Sequence, residues 1–133
     1  MKKPNPLLTL LALVATTCAL GAGESLSKFD AALQSAEANE ATPAGGEFDT
    51  AVGMQFGEEH ANTVAGCAEG AHGKDLAKFN LVMKLDGAGN VVEALVYPET
   101  TVAKCLQAAV AHDAYPKPVH PGYWVRVEMS LKP

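Results

Sequence analysis

Apolar and polar residues alternate almost without error along the C-terminal residues 123–132. Tyr, Val, Val, Met and Leu occupy every second position, and Trp, Arg, Glu, Ser and Lys stand between them. Because successive side chains of a strand point to opposite faces, this pattern predicts a strand with one buried and one polar face. A strand of this kind is typical of an antiparallel sheet.

The same period of two occurs in one earlier segment, which a turn separates from a valine-rich stretch. Residues 78–86 carry Phe, Leu, Met and Leu at alternate positions, and residues 91–97 return as a valine-rich stretch. Between them, the Asp-Gly-Ala-Gly-Asn segment at 86–90 supplies glycines that accept positive φ and side chains that cap a bend. The sequence therefore predicts a β-hairpin.

Apolar residues at helical spacing predict three helices. The stripe is weak over residues 24–39, runs every three or four positions over residues 47–69, and recurs after Thr100 or Thr101, either of which is a suitable N-cap. Residues 39–46 are rich in Ala, Thr, Pro and Gly and are predicted to form a linker or turn. The proline-rich residues 115–122 are predicted to be an extended connector, since proline lacks the amide donor.

A strand, tight turn, strand, helix and strand in this order predict an α+β fold. The ββαβ segment forms a three-stranded antiparallel sheet of order 2-1-3 if the helix makes a right-handed crossover. We expect the helices to cover one face, the other to stay partly exposed, and an extra N-terminal helix to precede the sheet. The predicted parts are a signal peptide at 1–23, an N-terminal segment and linker at 24–46, and the α+β domain at 47–133.

The first residues have the pattern of an export signal. Lys2 and Lys3 precede an apolar run over residues 7–20, and small residues follow at a suitable cleavage point. A retained membrane anchor would need about 20 apolar residues, which is more than this run provides. Lipid attachment at Cys18 would require a small residue before it, where Thr17 stands. The sequence thus predicts a cleaved signal peptide, no membrane span afterwards, and a periplasmic or secreted protein.

Charge and cysteine content restrict the partners and the compartment. Without Lys2 and Lys3, eight Lys and Arg face fifteen Asp and Glu, a formal charge of −7, which argues against nucleic acid and anionic lipid as partners. Of the three cysteines, only Cys67 and Cys105 follow the predicted signal. Because exported proteins encounter oxidising conditions, we predict one disulfide between Cys67 and Cys105.

The sequence contains no recognisable catalytic or metal-binding pattern. Four histidines are scattered, and a zinc site from Cys67, His72, Cys105 and His112 would need both thiols reduced. The serines after residue 23 lack a Gly-x-Ser-x-Gly elbow, and no Cys-x-x-Cys motif occurs. We therefore predict a protein that is not an enzyme and that has no metal and no cofactor.

The segment from about Phe79 to Leu131 resembles the C-terminal domain of the TonB energy-transducing proteins. The resemblance rests on four features in order: an amphipathic strand; an Asp-Gly-rich turn before a valine strand; a helix with Cys105 and Leu106; and a Tyr-Pro-x-Pro segment at 115–118 before an alternating strand. It covers roughly half of the chain that follows the predicted signal. The chain is expected to depart from that family, because cleavage of the predicted signal would leave no inner-membrane helix and a long proline-rich spacer is not seen in the sequence.

The resemblance implies a binding module that recruits its partner by β-strand addition. In that family, the last strand pairs with a short peptide of an outer-membrane receptor, and an open sheet edge suits this role. The expected partner is a protein or peptide, such as an outer-membrane receptor or another envelope protein. The residues expected to form this edge are Tyr123, Trp124, Val125, Arg126, Val127, Glu128 and Met129.

Two alternatives remain open at the sequence level. The same edge could form a homodimer in a structural or assembly protein of the envelope that has no ligand. Trp124 and Arg126 could form an exposed binding pair, or the segment from Leu26 to Ala36 could cover Trp124.

Overall fold

The computed structural model describes residues 22–132, so the predicted signal peptide lies almost entirely outside the described residues. Within this part of the chain, no helix is both long and apolar enough to cross a membrane. The elements, in chain order, are α1 (Ala22–Glu40), α2 (Pro43–Ala68), a 3₁₀ turn (Gly73–Leu76), β1 (Phe79–Leu85), β2 (Val91–Tyr97), α3 (Thr101–Ala109) and β3 (Tyr123–Met129).

The three strands form one antiparallel sheet of order β2-β1-β3, which confirms the predicted fold class and strand order. In the hairpin turn, the Asp86 carboxylate accepts hydrogen bonds from the backbone N–H groups of Ala88 and Asn90, at 3.0 and 2.9 Å. These bonds, first of all the one from Asn90, lower the pKa of Asp86. Gly89 adopts a φ of 97°, and a Cβ there would lie 2.1 Å from the Tyr115 carbonyl oxygen. The turn therefore requires glycine both for its backbone conformation and for space.

One face of the sheet carries the main core, under α2 and α3. Leu81, Met83 and Val125 of the sheet are fully buried there, together with Val52 of α2 and Leu106 of α3. A disulfide joins Cys67 to Cys105 with the Cα atoms 5.7 Å apart, as predicted. The bond ties the end of α2 to the middle of α3, so both helices are held on the same face.

The second face of the sheet, which was expected to stay partly exposed, is covered by α1, in agreement with the alternative that the segment from Leu26 to Ala36 covers Trp124. Phe29, Ala32 and Ala36 of this helix are buried against Val82 of β1, and Trp124 of β3 packs on the same cluster. The weak apolar stripe of α1 thus finds its partners on the face that was expected to stay partly exposed. The sheet is consequently enclosed on both faces by helices.

The connection between α1 and α2 is much shorter than the predicted linker. Thr42 caps α2 by accepting a hydrogen bond from the Gly45 N–H at 3.0 Å, and Pro43 occupies the first turn, where proline is tolerated. A Cβ on Gly45 would lie 1.8 Å from the Asn39 carbonyl oxygen, so only glycine allows this close turn. We call residues 39–46 the α1–α2 corner.

Candidate functional site at the outer edge of the last strand

Four of the seven side chains of β3 pack on the main core. Tyr123 and Val125 are buried, and Val127 and Met129 are partly buried against the same cluster. The Tyr123 ring packs edge-on against Phe48, with ring centroids 5.0 Å apart. These apolar residues of the predicted site hold the domain together and are not presented to a partner.

The other side chains of β3 contact α1 or the neighbouring strand. Trp124 packs against the α1 cluster, so of the two alternatives left open for Trp124, the one in which the segment from Leu26 to Ala36 covers it is confirmed. Arg126 donates to Glu40 Oε1 at 3.0 Å and to Glu37 Oε1 at 3.4 Å. The exposed Glu128 forms an ion pair with Lys78. The groups of β3 that remain available to a partner are therefore its backbone N–H and C=O groups.

The α1–α2 corner covers the first part of the outer edge of β3. Asn39 Nδ2 donates to the Trp124 carbonyl oxygen at 3.0 Å, so the Trp124 backbone faces away from β1. Because antiparallel residues direct their N–H and C=O groups to the two sides in alternation, the backbones of Arg126 and Glu128 face outward as well. The available edge thus begins at Arg126, later than predicted, and Val127 faces β1.

A groove of about 430 Å³ lies beside the available part of the edge, between the start of α2 and the strand. Its charged lining consists of Glu40, Asp49, Arg126 and Glu128. The Tyr123 hydroxyl donates to Asp49 Oδ1 at 3.1 Å, while Asp49 Oδ2 is buried without a hydrogen-bond partner among the described residues. Burial raises the pKa of Asp49 to about 6, and the negative charge of Glu40 adds to this, against the lowering effects of Tyr123 and Arg126. Burial together with the Asp49 carboxylate raises the pKa of Tyr123.

The opposite edge of the sheet, formed by β2, is less available. Gln107 Nε2 of α3 donates to the Ala94 carbonyl oxygen at 2.7 Å, which occupies an outward acceptor in the middle of the strand. Pro98, which has no N–H group, follows the strand directly. Strand addition is therefore better supported at β3 than at β2.

Within the described residues, one group of side chains has the ligand types and spacing of a metal site. The ligand atoms of Glu59, His60 and Asp113 lie within 4.8 Å of one another. His60 Nε2 lies 2.5 Å from Asp113 Oδ2, and the Tyr115 hydroxyl donates to the same oxygen at 2.9 Å. Burial, with the hydrogen bond to Asp113, raises the pKa of Tyr115.

The environment of His60 suits a structural network better than a metal. His60 Nδ1 is buried and has no hydrogen-bond partner in the described part of the chain. A metal at Nε2 would place the ring proton on Nδ1, where ligating histidines usually donate to a carboxylate or carbonyl group. Since that acceptor is missing here, we interpret His60, Asp113 and Tyr115 as a buried link between α2 and the segment after α3.

Sequence reasoning missed the residues that surround the outer edge of β3. Asn39 was placed in a linker, and Glu37, Glu40 and Asp49 were indistinguishable from ordinary solvated helix charges. Local sequence spacing does not relate these residues to β3. Asp49 lies 74 positions before Tyr123, to which it is hydrogen-bonded, and Glu37 lies 89 positions before Arg126. These residues lie close to β3 only because the α1–α2 corner packs beside the outer edge of this strand.

Comparison with protein-family models, with curated protein sequences and with solved structures found no match to this chain. The likeness of residues 79–131 to the TonB C-terminal domain therefore stays a prediction from the sequence motifs quoted above.

Proposed function

We propose that this protein is an exported, TonB C-terminal-like module of the bacterial envelope that binds an extended protein or peptide partner by strand addition to β3. The observation that carries the proposal is the outward backbone of Arg126 and Glu128, beyond the point where Asn39 caps the edge. Localisation to the periplasm, or secretion, follows from the predicted signal peptide and agrees with the Cys67–Cys105 disulfide.

The length of the available edge limits what the backbone alone contributes. Arg126 and Glu128 offer two N–H and two C=O groups within β3, and each hydrogen bond contributes about 0.5–1.5 kcal/mol net. Four such bonds amount to about 2–6 kcal/mol, which is comparable to or below the roughly 4–15 kcal/mol cost of association. The backbone therefore sets the register, and side chains must supply much of the affinity.

The chain after β3 stays attached to the domain. Leu131, two residues beyond the end of the strand, is partly buried against the main core.

The proposal is tested with the oxidised protein after removal of the predicted signal peptide, and with three acetylated, amidated octapeptides that alternate valine with lysine, glutamine or glutamate. Backbone amide exchange of ¹⁵N-labelled protein is followed by NMR as each peptide is added. We expect at least one peptide to slow exchange at the outward amides of Arg126 and Glu128. If none of the three protects these amides at millimolar peptide, strand addition at this edge is refuted.

A matched pair of variants separates backbone pairing from side-chain binding. Glu128→Pro removes an outward N–H and leaves the pairing of Val127 with Leu81 intact, because proline is tolerated on the outer side of an edge strand. Glu128→Ala removes the same carboxylate and keeps the N–H. We expect the proline variant to bind markedly more weakly than the alanine variant, and equal binding by the two would contradict strand addition.

A further inference from the structure

The available edge of β3 is surrounded by acidic side chains. Arg126 is bridged to Glu37 and Glu40 and lies 4.0 Å from Glu128 at its closest atoms. Glu128 is also paired with Lys78. The groove itself is lined by three acids, Glu40, Asp49 and Glu128, and by one cation, Arg126.

Asp49 gives this acidic surface a specific acceptor. One of its oxygens accepts from Tyr123, whereas the other is buried and has no hydrogen-bond partner in the described residues. The carboxylate lines the groove of about 430 Å³ that opens beside Arg126 and Glu128. An ammonium or guanidinium group in this groove would pair with the Asp49 carboxylate and offset the charge of Glu40.

We propose that the strand which adds to β3 is basic, and that one of its lysine or arginine side chains enters the groove beside Asp49. This inference rests on the proposed function and names the chemistry of its partner. A side chain at every second position of an added strand points to the face occupied by α2, which carries Asp49. A strand of alternating apolar and basic residues therefore fits both the groove and the outward backbone.

The same charges disfavour a second copy of this chain as the occupant. Pairing two β3 edges would bring Glu40, Asp49 and Glu128 of one copy close to the same residues of the other. Like charges placed together across an interface weaken association. A partner of opposite charge is consequently favoured over a homodimer at this edge.

The three octapeptides of the previous experiment test this inference separately from strand addition. Their dissociation constants are measured by NMR titration at low salt and at 0.5 M NaCl. We expect the lysine peptide to bind about fivefold to tenfold more tightly than the glutamine peptide at low salt, a size typical of one or two exposed ion pairs. The glutamate peptide should bind most weakly, and the differences should shrink at high salt because exposed charges are screened.

The Asp49→Asn variant tests the groove itself. Asparagine keeps an oxygen that can accept from Tyr123 and removes the charge, so the fold is preserved. We expect this variant to lose most of the preference for lysine while the binding of the glutamine peptide is unchanged. Glu99→Gln, an exposed change of the same charge at the far side of the sheet, is the control and should keep the preference.

Binding of the lysine peptide should strengthen between pH 5 and pH 7. Burial and the charge of Glu40 raise the pKa of Asp49 to about 6, against the hydrogen bond from Tyr123 and the charge of Arg126. The carboxylate therefore gains its negative charge over this pH range. Asp49→Asn should remove this pH dependence.

The outcomes distinguish the two proposals. Protection of Arg126 and Glu128 amides with equal affinity for all three peptides would overturn the basic partner and leave strand addition standing. A lysine preference that survives Asp49→Asn would also overturn the inference. If the lysine peptide shifts the NMR signals of Asp49 but does not protect the outward amides, strand addition is refuted. A basic strand as the occupant is then refuted as well.

Discussion

Reduction of the Cys67–Cys105 disulfide is expected to lower the free energy of unfolding by about 4 kcal/mol. The bond closes a loop with a sequence separation of 38 residues. In the chain-entropy model, a loop of this length restricts the unfolded chain by about 3.9 kcal/mol at 25 °C. Domains of this size are stabilised by only about 5–15 kcal/mol, so the disulfide contributes a large share.

The position of the disulfide allows its contribution to stability to be measured separately. Cys105 is exposed, whereas Cys67 is partly buried where it packs against the main core, so a small reductant has access to the bond from the Cys105 side. The loss should therefore come from the unfolded state, with α2 and α3 still packed on the sheet through residues such as Val52 and Leu106.

Urea denaturation followed by circular dichroism measures the effect. With a slope of about 1–2 kcal/mol per molar urea for a small domain, the midpoint should fall by about 2–4 M on reduction. A variant with Cys67→Ala and Cys105→Ala should match the reduced protein and should not respond to reductant. A decrease below about 1 kcal/mol would refute the entropic reasoning, and loss of native circular dichroism before urea is added would show that the bond holds the helices in place.

Three further predictions concern other parts of the molecule. Asp113→Ala should cost about 1–3 kcal/mol for each buried donor left unpaired, those of His60 and Tyr115, as measured by urea unfolding; a neutral result would contradict a structural network. Gly89→Ala should cost more than about 1 kcal/mol, because its Cβ would overlap a carbonyl oxygen at 2.1 Å; an unchanged melting temperature would contradict the turn geometry. Since the pKa of Asp49 is raised from 3.8 to about 6 on folding, the native state binds more protons than the unfolded state in that window, so its contribution to stability falls as pH rises from 4 to 6. Asp49→Asn should remove this decrease, and unfolding midpoints of both proteins across pH 4 to 7 would show whether the slopes differ.

Local patterns were sufficient for the strands, the hairpin and the disulfide. The alternation over residues 78–86 and 123–132, and the valine-rich stretch at 91–97 after the turn, placed each strand within a few residues, because two is the side-chain period of a strand. The cysteine pair was predictable because only two cysteines follow the predicted signal. Thr100 likewise caps α3, accepting from the Ala103 N–H at 3.1 Å.

The sequence did not decide where the N-terminal helix packs. The stripe of α1 is weak, so covering Trp124 with the segment from Leu26 to Ala36 remained one of two alternatives. In the structure, Phe29, Ala32 and Ala36 bury Val82 and the exposed-looking Trp124. The polar residues at alternate positions of β3 indicated a face exposed to solvent. Alternation shows which face of a strand is polar, but it does not show whether another element packs on that face.

The sequence by itself thus determined the strand segments, the hairpin, their antiparallel order and the cysteine pair, since each depends on residues close in the chain or on a count. Tertiary structure alone decided the character of the candidate site. The α1–α2 corner passes around β3, and in doing so it caps Trp124 with Asn39 and places Asp49 and Glu40 beside Arg126. No local pattern encodes this arrangement, because it results from the long-range packing of two helices on opposite faces of one sheet.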